Sequence, residues 1–130
     1  MTKKKLVVIS GIISVVMLII NYFGVYSTCV NIFECTEILF GVMMIFFPVI
    51  PLFIFSIITY FMQVEVFNAW WRFSKIWIPL SMLAILISPS YTSNWMFPIE
   101  KGAVAFFTSA LFVIISILVV IYKNLQLRKK

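Results

Sequence analysis

The chain has 130 residues, of which 64% are hydrophobic and only 11% are charged, whereas a soluble domain is typically about 45 to 50% apolar and about 25% charged. It contains no histidine and no aspartate, which excludes most metal-binding, triad and acid–base chemistry, and its acidic residues are four glutamates: Glu34, Glu37, Glu65 and Glu100. We therefore expect an all-α integral membrane protein, without enzymatic activity and without a cofactor.

Basic residues are concentrated beside the apolar runs. Seven of the ten flank the first and last of these runs: Lys3, Lys4, Lys5, Lys123, Arg128, Lys129 and Lys130. Basic residues in these places are typical of topology signals at the ends of membrane spans. A nucleic-acid surface would instead alternate basic and stacking aromatic residues on a folded face. We expect the lipid bilayer as the surroundings of this chain, and no nucleic acid as a partner.

Long apolar runs predict four transmembrane helices in a single domain, residues 1–130. A span needs about 20 residues, because a helix rises about 1.5 Å per residue and the hydrocarbon core is about 30 Å thick. The expected spans cover approximately residues 6–26, 38–62, 76–88 and 103–122. The chain is thus expected to form a bundle of four helices with short connections.

Two prolines, Pro48 and Pro51, fall in the middle of the second run. Each lacks a backbone N–H, so they predict a kink in this helix. Three interpretations remain open. The prolines could simply bend a helix that faces lipid, carbonyls freed near Phe46 and Phe47 could line a polar site or a hinge, or a protein partner could fill the notch.

The third span is short, since its uncharged run Ile76–Ile87 has 12 residues and would extend only about 18 Å. The preceding segment, residues 64–75, has two faces when drawn as a helix. Its polar side chains lie within about 80° of one another: Glu65, Asn68, Arg72 and Lys75. This pattern predicts an amphipathic helix in the membrane interface, with the polar stripe toward water and the aromatic residues toward acyl chains. Alternatively, these residues are the first turns of a tilted third helix.

Aromatic and basic residues near the expected span ends predict anchors at the membrane interface. They are Trp70, Trp71, Arg72, Lys75, Trp77 and Trp95. With four spans both termini share one side, which then holds nine of the ten basic residues and leaves only Lys101 on the other. This imbalance predicts a multi-pass protein of the plasma (inner) membrane with both termini in the cytoplasm.

Both cysteines, Cys29 and Cys35, fall in the first outer connection, residues 27–37. That side of the membrane is oxidising, so we expect a disulfide between them. Two buried free thiols and a redox-active pair remain as alternatives. The spacing does not match the two-residue separation that is typical of redox-active pairs.

The first run also resembles a secretory signal, because Lys3–Lys5 precede it and small residues occur near Ser27. A signal has an apolar region of about 7 to 15 residues, whereas this run, Leu6–Tyr26, has 21. We therefore expect residues 1–27 to be retained, and cleavage remains the alternative.

The expected spans contain small hydroxyl side chains and Asn21, but no ionisable side chain at their centres. Transporters and proton relays usually need such a group. We therefore expect a non-enzymatic accessory or scaffold subunit that packs with a membrane partner or with itself. The alternative is a small oligomeric channel, transporter or holin-like pore. Hydroxyl groups lining a cavity would favour the pore, and hydroxyl groups turned onto their own helices would favour packing. The informative residues are Ser56, Thr59, Thr108 and Ser109.

Overall fold

The computed structural model describes residues 2–23, 33–89 and 100–130 of the chain. These residues form five helices and contain no strand: α1 Lys3–Phe23, α2 Phe33–Phe46, α3 Val49–Tyr60, α4 Val64–Ile87 and α5 Lys101–Arg128. The expected all-helical class is confirmed for the described part of the chain.

Within these ranges, four helical stretches are long and apolar enough to cross a membrane. They are Lys3–Phe23, Glu37–Tyr60, Val64–Ile87 and Lys101–Arg128, with 21, 24, 24 and 28 residues. The second stretch combines most of α2 with α3. The fourth continues past the expected end at residue 122, and its 28 residues extend about 42 Å at 1.5 Å per residue. Among the described residues, the number of helices that are long and apolar enough to span a membrane is thus the expected four.

The second stretch is interrupted between α2 and α3, at Phe47 and Pro48. The N–H group of Phe47 donates to the Met44 carbonyl (3.3 Å), and the N–H group of Ile50 donates to the Phe47 carbonyl (3.2 Å). In a regular helix these two carbonyls would accept from residues 48 and 51, where the prolines have no N–H. Tighter turns therefore satisfy the carbonyl of Phe47, which is not free to line a polar site.

Helices α1 and α3 run antiparallel and pack closely through small side chains. The hydroxyl groups of Ser10 and Ser56 lie 3.4 Å apart, and Gly11 lies against the ring of Phe53. At the start of α1, the Lys3 ammonium donates to the carbonyl of Met62, just after α3. Small residues at such contacts are typical of helix pairs in membranes, because they allow the backbones to approach.

Helices α4 and α5 form the second antiparallel pair. The Trp70 indole N–H donates to the Ser116 hydroxyl (3.1 Å), and the Trp77 indole N–H donates to the Thr108 carbonyl (3.2 Å). An aromatic contact joins this pair to α3, since the rings of Phe55 and Phe112 meet edge to face with centroids 6.2 Å apart. The four stretches thus form one bundle.

The start of α1 and the end of α5 lie at the same end of this bundle. Lys3, at the start of α1, reaches the connection between α3 and α4, and its ammonium lies 5.7 Å from the centre of the Phe67 ring. The start of α4 is also where α5 ends, because α4 and α5 run antiparallel. The basic residues of α1 and those at the end of α5 are therefore near one another along the bundle axis.

Residues 64–75 and the third span form one uninterrupted helix, α4, which includes Pro79. A separate interfacial helix is therefore not confirmed. The continuity matches the alternative expectation, in which these residues are the first turns of the third helix. The charged side chains before residue 76 predict a helix boundary there, but α4 continues through them, because the backbone hydrogen bonds of a helix do not depend on the charge of its side chains.

Gly11 offers a test of the α1–α3 contact. A Cβ atom at position 11 would lie 2.9 Å from Cε2 of Phe53, so the ring would have to move, whereas a Cβ at Gly41 would lie 3.8 Å from the Lys101 Nζ, an ordinary contact. We expect Gly11→Ala to lower the free energy of unfolding by about 1 kcal/mol, and Gly41→Ala to leave it unchanged or raise it. Thermal unfolding in mild detergent, followed by circular dichroism, measures both. Equal behaviour of the two variants would contradict this packing.

Candidate functional site

The tryptophans of α4 point into the bundle. Trp70 is fully buried, and besides its bond to Ser116 its ring packs against Phe112, with centroids 6.4 Å apart. A buried indole N–H usually has a hydrogen-bond partner, which Ser116 supplies here. This differs from the expectation that Trp70 faces acyl chains. The physical reason is that α5 and α3 cover the aromatic face of α4.

The other expected anchors have different surroundings. Trp77 is half-buried and bonded to α5, and Trp71 is half-buried beside the core. Arg72 and Lys75 are exposed. Trp95 lies outside the described residues, so its role stays a prediction.

Ser74 is a packing residue that the sequence reasoning missed, whereas Ser81 is one of the small hydroxyl residues that were expected to pack within the spans. Both are buried on the same side of α4 as Trp70. The Ser74 hydroxyl donates to the Trp70 carbonyl (3.0 Å), and the Ser81 hydroxyl donates to the Ile78 carbonyl (2.8 Å). Small hydroxyl residues on an aromatic face are a usable signal, because helix–helix contacts in membranes are rich in small residues.

The hydroxyl groups that distinguish a pore from packing are turned mainly onto their own helices. The hydroxyls of Ser56, Thr59 and Thr108 donate to the carbonyls of Phe53, Phe55 and Val104, respectively, at 2.7, 2.8 and 2.8 Å. The hydroxyl of Ser109 is buried, and among the described residues it has no hydrogen-bond partner. Most of these groups therefore serve to pack the helices.

A half-open cavity of about 270 Å³ lies beside the break between α2 and α3. Its lining is mostly apolar: Ser14, Met17, Leu18, Asn21, Met43, Met44, Phe46, Phe47, Val49 and Ile50. The Ser14 hydroxyl is buried and lacks a hydrogen-bond partner in the described part of the chain, whereas Asn21 is exposed at the rim. Binding of a protein partner in this cavity stays a prediction, since an apolar cavity of this kind also suits a lipid tail.

The polar stripe of α4 faces away from the bundle. Its four members are all exposed: Glu65, Asn68, Arg72 and Lys75. The buried residues of this part of the helix lie on the opposite side: Val66, Phe67, Trp70 and Ser74. The amphipathic pattern is thus present in the structure, but its aromatic face meets protein. Within the described residues, none of the four stripe side chains has a hydrogen-bond or ion-pair partner.

The cysteine pair is described only in part. Cys35, in α2, is disulfide-bonded. Cys29 lies outside the described residues, so the expected pairing of Cys29 with Cys35 stays a prediction. Among residues 2–23, 33–89 and 100–130, no group of three or more His, Cys, Asp or Glu side chains lies close enough to hold a metal ion.

The fold and its surface together define a class: an all-helical bundle with four helices long and apolar enough to span a membrane. Comparisons of the chain with protein-family models, with curated proteins and with solved structures found no match. The geometry of this bundle is therefore what bears on the function of the chain.

The bond between Trp70 and Ser116 can be tested by a double-mutant cycle. We expect Trp70→Phe to lower the free energy of unfolding by about 1 to 3 kcal/mol, because it leaves the Ser116 hydroxyl without its donor and a void beside Phe112. The coupling between Trp70→Phe and Ser116→Ala should be about 0.6 kcal/mol and at most about 1.7 kcal/mol, the average and the maximum found for polar contacts between membrane helices. Trp71→Phe is the matched control and should cost less. Additive effects of Trp70→Phe and Ser116→Ala would contradict the bond.

Proposed function

We propose that this chain is a non-enzymatic accessory or scaffold subunit of the plasma (inner) membrane, which packs with a membrane-protein partner or with itself. The observation that carries the proposal is that packed side chains fill the interior of the bundle. Its largest buried side chains, Trp70, Phe67 and Phe112, fill the space between helices. Most of its hydroxyl groups bond to the carbonyls of their own helices. An interior of this kind stabilises the fold and offers no continuous row of polar groups to a solute.

The distribution of basic residues supports an orientation with both termini in the cytoplasm. Arg72 and Lys75 belong to α4 and are no longer counted as loop residues. Seven basic residues remain near the end of the bundle that holds both termini, against Lys101 near the other end. Cytoplasmic connections carry an excess of lysine and arginine, so this ratio favours the same orientation as the original count.

A small oligomeric pore is the second candidate, and the polar stripe of α4 is the observation that favours it. Several copies arranged around this stripe would place Arg72 and Lys75 in a common lumen. The stripe, however, occupies only the first half of α4. The same face continues with Pro79, Leu83 and Leu86, all exposed and apolar. A lumen built from this face would be apolar over half its length, which favours the scaffold.

A flux assay tests the proposal against the pore. Purified full-length chain, reconstituted into liposomes loaded with a small ion-sensitive dye, should give no flux above protein-free liposomes, because the interior is packed. A pore-forming peptide serves as the positive control. Flux that is abolished by Asn21→Ala or Pro51→Ala, but kept by the exposed control Val15→Ala, would contradict a scaffold.

The oligomeric state gives the second half of this test. After extraction from its native membrane in mild detergent, the chain should migrate as a complex larger than one 15.1 kDa copy with its detergent. Accessory subunits and self-packing proteins both predict such a complex. A chain that is monomeric in native membranes, as measured by chemical cross-linking before extraction, would contradict the proposal.

A further inference from the structure

The two indole hydrogen bonds determine the level of the polar stripe, that is, its position along the axis of α5. Trp70 bonds to Ser116 and Trp77 bonds to Thr108. Arg72 and Lys75 come between the two tryptophans in the sequence, and the helices are antiparallel. Both cations therefore lie at the level of the α5 segment 108–116.

This segment is the middle of α5. It is separated from Lys101 on one side and from Lys123 on the other by about seven residues, or about 10 Å of helix. Between those two lysines α5 has no charged residue. The outward side chains at this level, Leu111 and Ile114, are apolar and half-exposed (47% and 54%). Any bilayer that surrounds them also reaches the level of Arg72 and Lys75.

Charged side chains at that depth are costly when they face lipid. In membrane proteins they almost always face other protein or a water-filled cavity, although long cationic side chains can reach toward the headgroups when they lie close to a span end. Arg72 and Lys75 are exposed, face away from their own bundle and have no partner among the described residues. If lipid alone surrounded this face of α4, the two charges would have no favourable interaction partner.

We propose that the outward face of α4 around Arg72 and Lys75 is a docking surface for a transmembrane helix of a partner protein that carries two acidic side chains near its middle. Arg72 and Lys75 are three residues apart, so both cations lie on one side of α4 about one turn from each other. Carboxylates three or four residues apart on a partner helix would match this spacing. Such pairs form charge-assisted hydrogen bonds, which arginine can make in bidentate form. The inference rests on the proposed accessory role and names the chemistry of its partner.

A second copy fits this surface less well. In a two-fold dimer with both copies in the same orientation, Arg72 and Lys75 would meet their own equivalents at the same level. Glu65 does not lie at the same level as the two cations, because along the helix axis it is seven residues, about 10 Å, from Arg72 and ten residues, about 15 Å, from Lys75. The apolar continuation of the same face argues equally against a hydrated lumen. An acidic helix is the occupant that the charge pattern favours.

A designed peptide tests the surface directly. The probe is a leucine- and alanine-rich transmembrane peptide with two glutamates one turn apart at its centre, and its matched control carries glutamines there. Full-length chain labelled at its N-terminus is reconstituted with each labelled peptide in phosphatidylcholine vesicles at neutral pH, and energy transfer reports association. We expect the glutamate peptide to bind about three- to tenfold more tightly than the glutamine peptide.

Variants of the chain test whether the preference for the glutamate peptide depends on the polar stripe. Arg72→Leu with Lys75→Leu should remove it, whereas the same change of charge in the tail, Arg128→Leu with Lys129→Leu, should keep it. Arg72→Gln with Lys75→Gln is a second, more conservative variant, and circular dichroism checks that each variant remains helical. Equal binding of the two peptides, or a preference that survives both stripe variants, overturns the proposal.

Three further outcomes would point to a different occupant and overturn the proposal. The first is a preference that is lost when phosphatidylglycerol is added, which assigns the stripe to anionic headgroups. The second is self-association of the chain that the stripe variants abolish, which assigns the stripe to a second copy. The third is ion flux that the stripe variants abolish, which assigns it to a lumen. Failure of the peptide test alone leaves the oligomeric state and the flux of the unmodified chain as they are, so the accessory role is judged separately.

Discussion

Two indole hydrogen bonds between α4 and α5 determine how α4 is oriented in the bundle and where its polar stripe lies. A buried indole N–H needs an acceptor, and Trp70 and Trp77 find theirs at two points of the same neighbouring helix. Two such bonds set both the rotation of α4 about its axis and its level along α5. Because the aromatic face is held inward, the polar stripe is held outward, and its depth follows from the same two contacts.

Hydroxyl groups have a different role in the other helix pair. Ser10 in α1 and Ser56 in α3 lie opposite each other, yet each also donates to a carbonyl of its own helix, Leu6 and Phe53, respectively. A hydroxyl group that is bonded to its own helix adds little polarity to the contact, and because the side chain is small, the two helix backbones can approach closely. The α1–α3 pair thus depends on close backbone approach, and the α4–α5 pair on large side chains with polar tips.

Much of the fold follows from the sequence, because helices in an apolar chain are marked by uncharged runs and prolines. The four long helices and the interruption near Pro48 could be expected on this basis. The direction in which α4 faces could not. A helical wheel separates Trp70 from Arg72, but aromatic side chains suit both lipid and a protein interior. Whether Trp70 faces lipid or protein depends on Ser116 and Phe112 in α5. The sequence does not specify how α5 is positioned along the axis of α4.

The same ambiguity explains why the polar stripe first suggests a helix in the interface. An amphipathic segment at the membrane surface and a charged docking face within a span have the same periodicity. They differ in what the apolar side covers. Here that side is occupied by α5 and α3, so the segment cannot also insert it among acyl chains. Arg72 and Lys75 then have either water or an opposite charge as favourable surroundings, and Leu83 and Leu86 on the same face make a water-filled path the poorer of the two. The proposed contact with an acidic partner helix would account for the two charges in α4, which has the lowest mean hydropathy of the four candidate spans, 1.2.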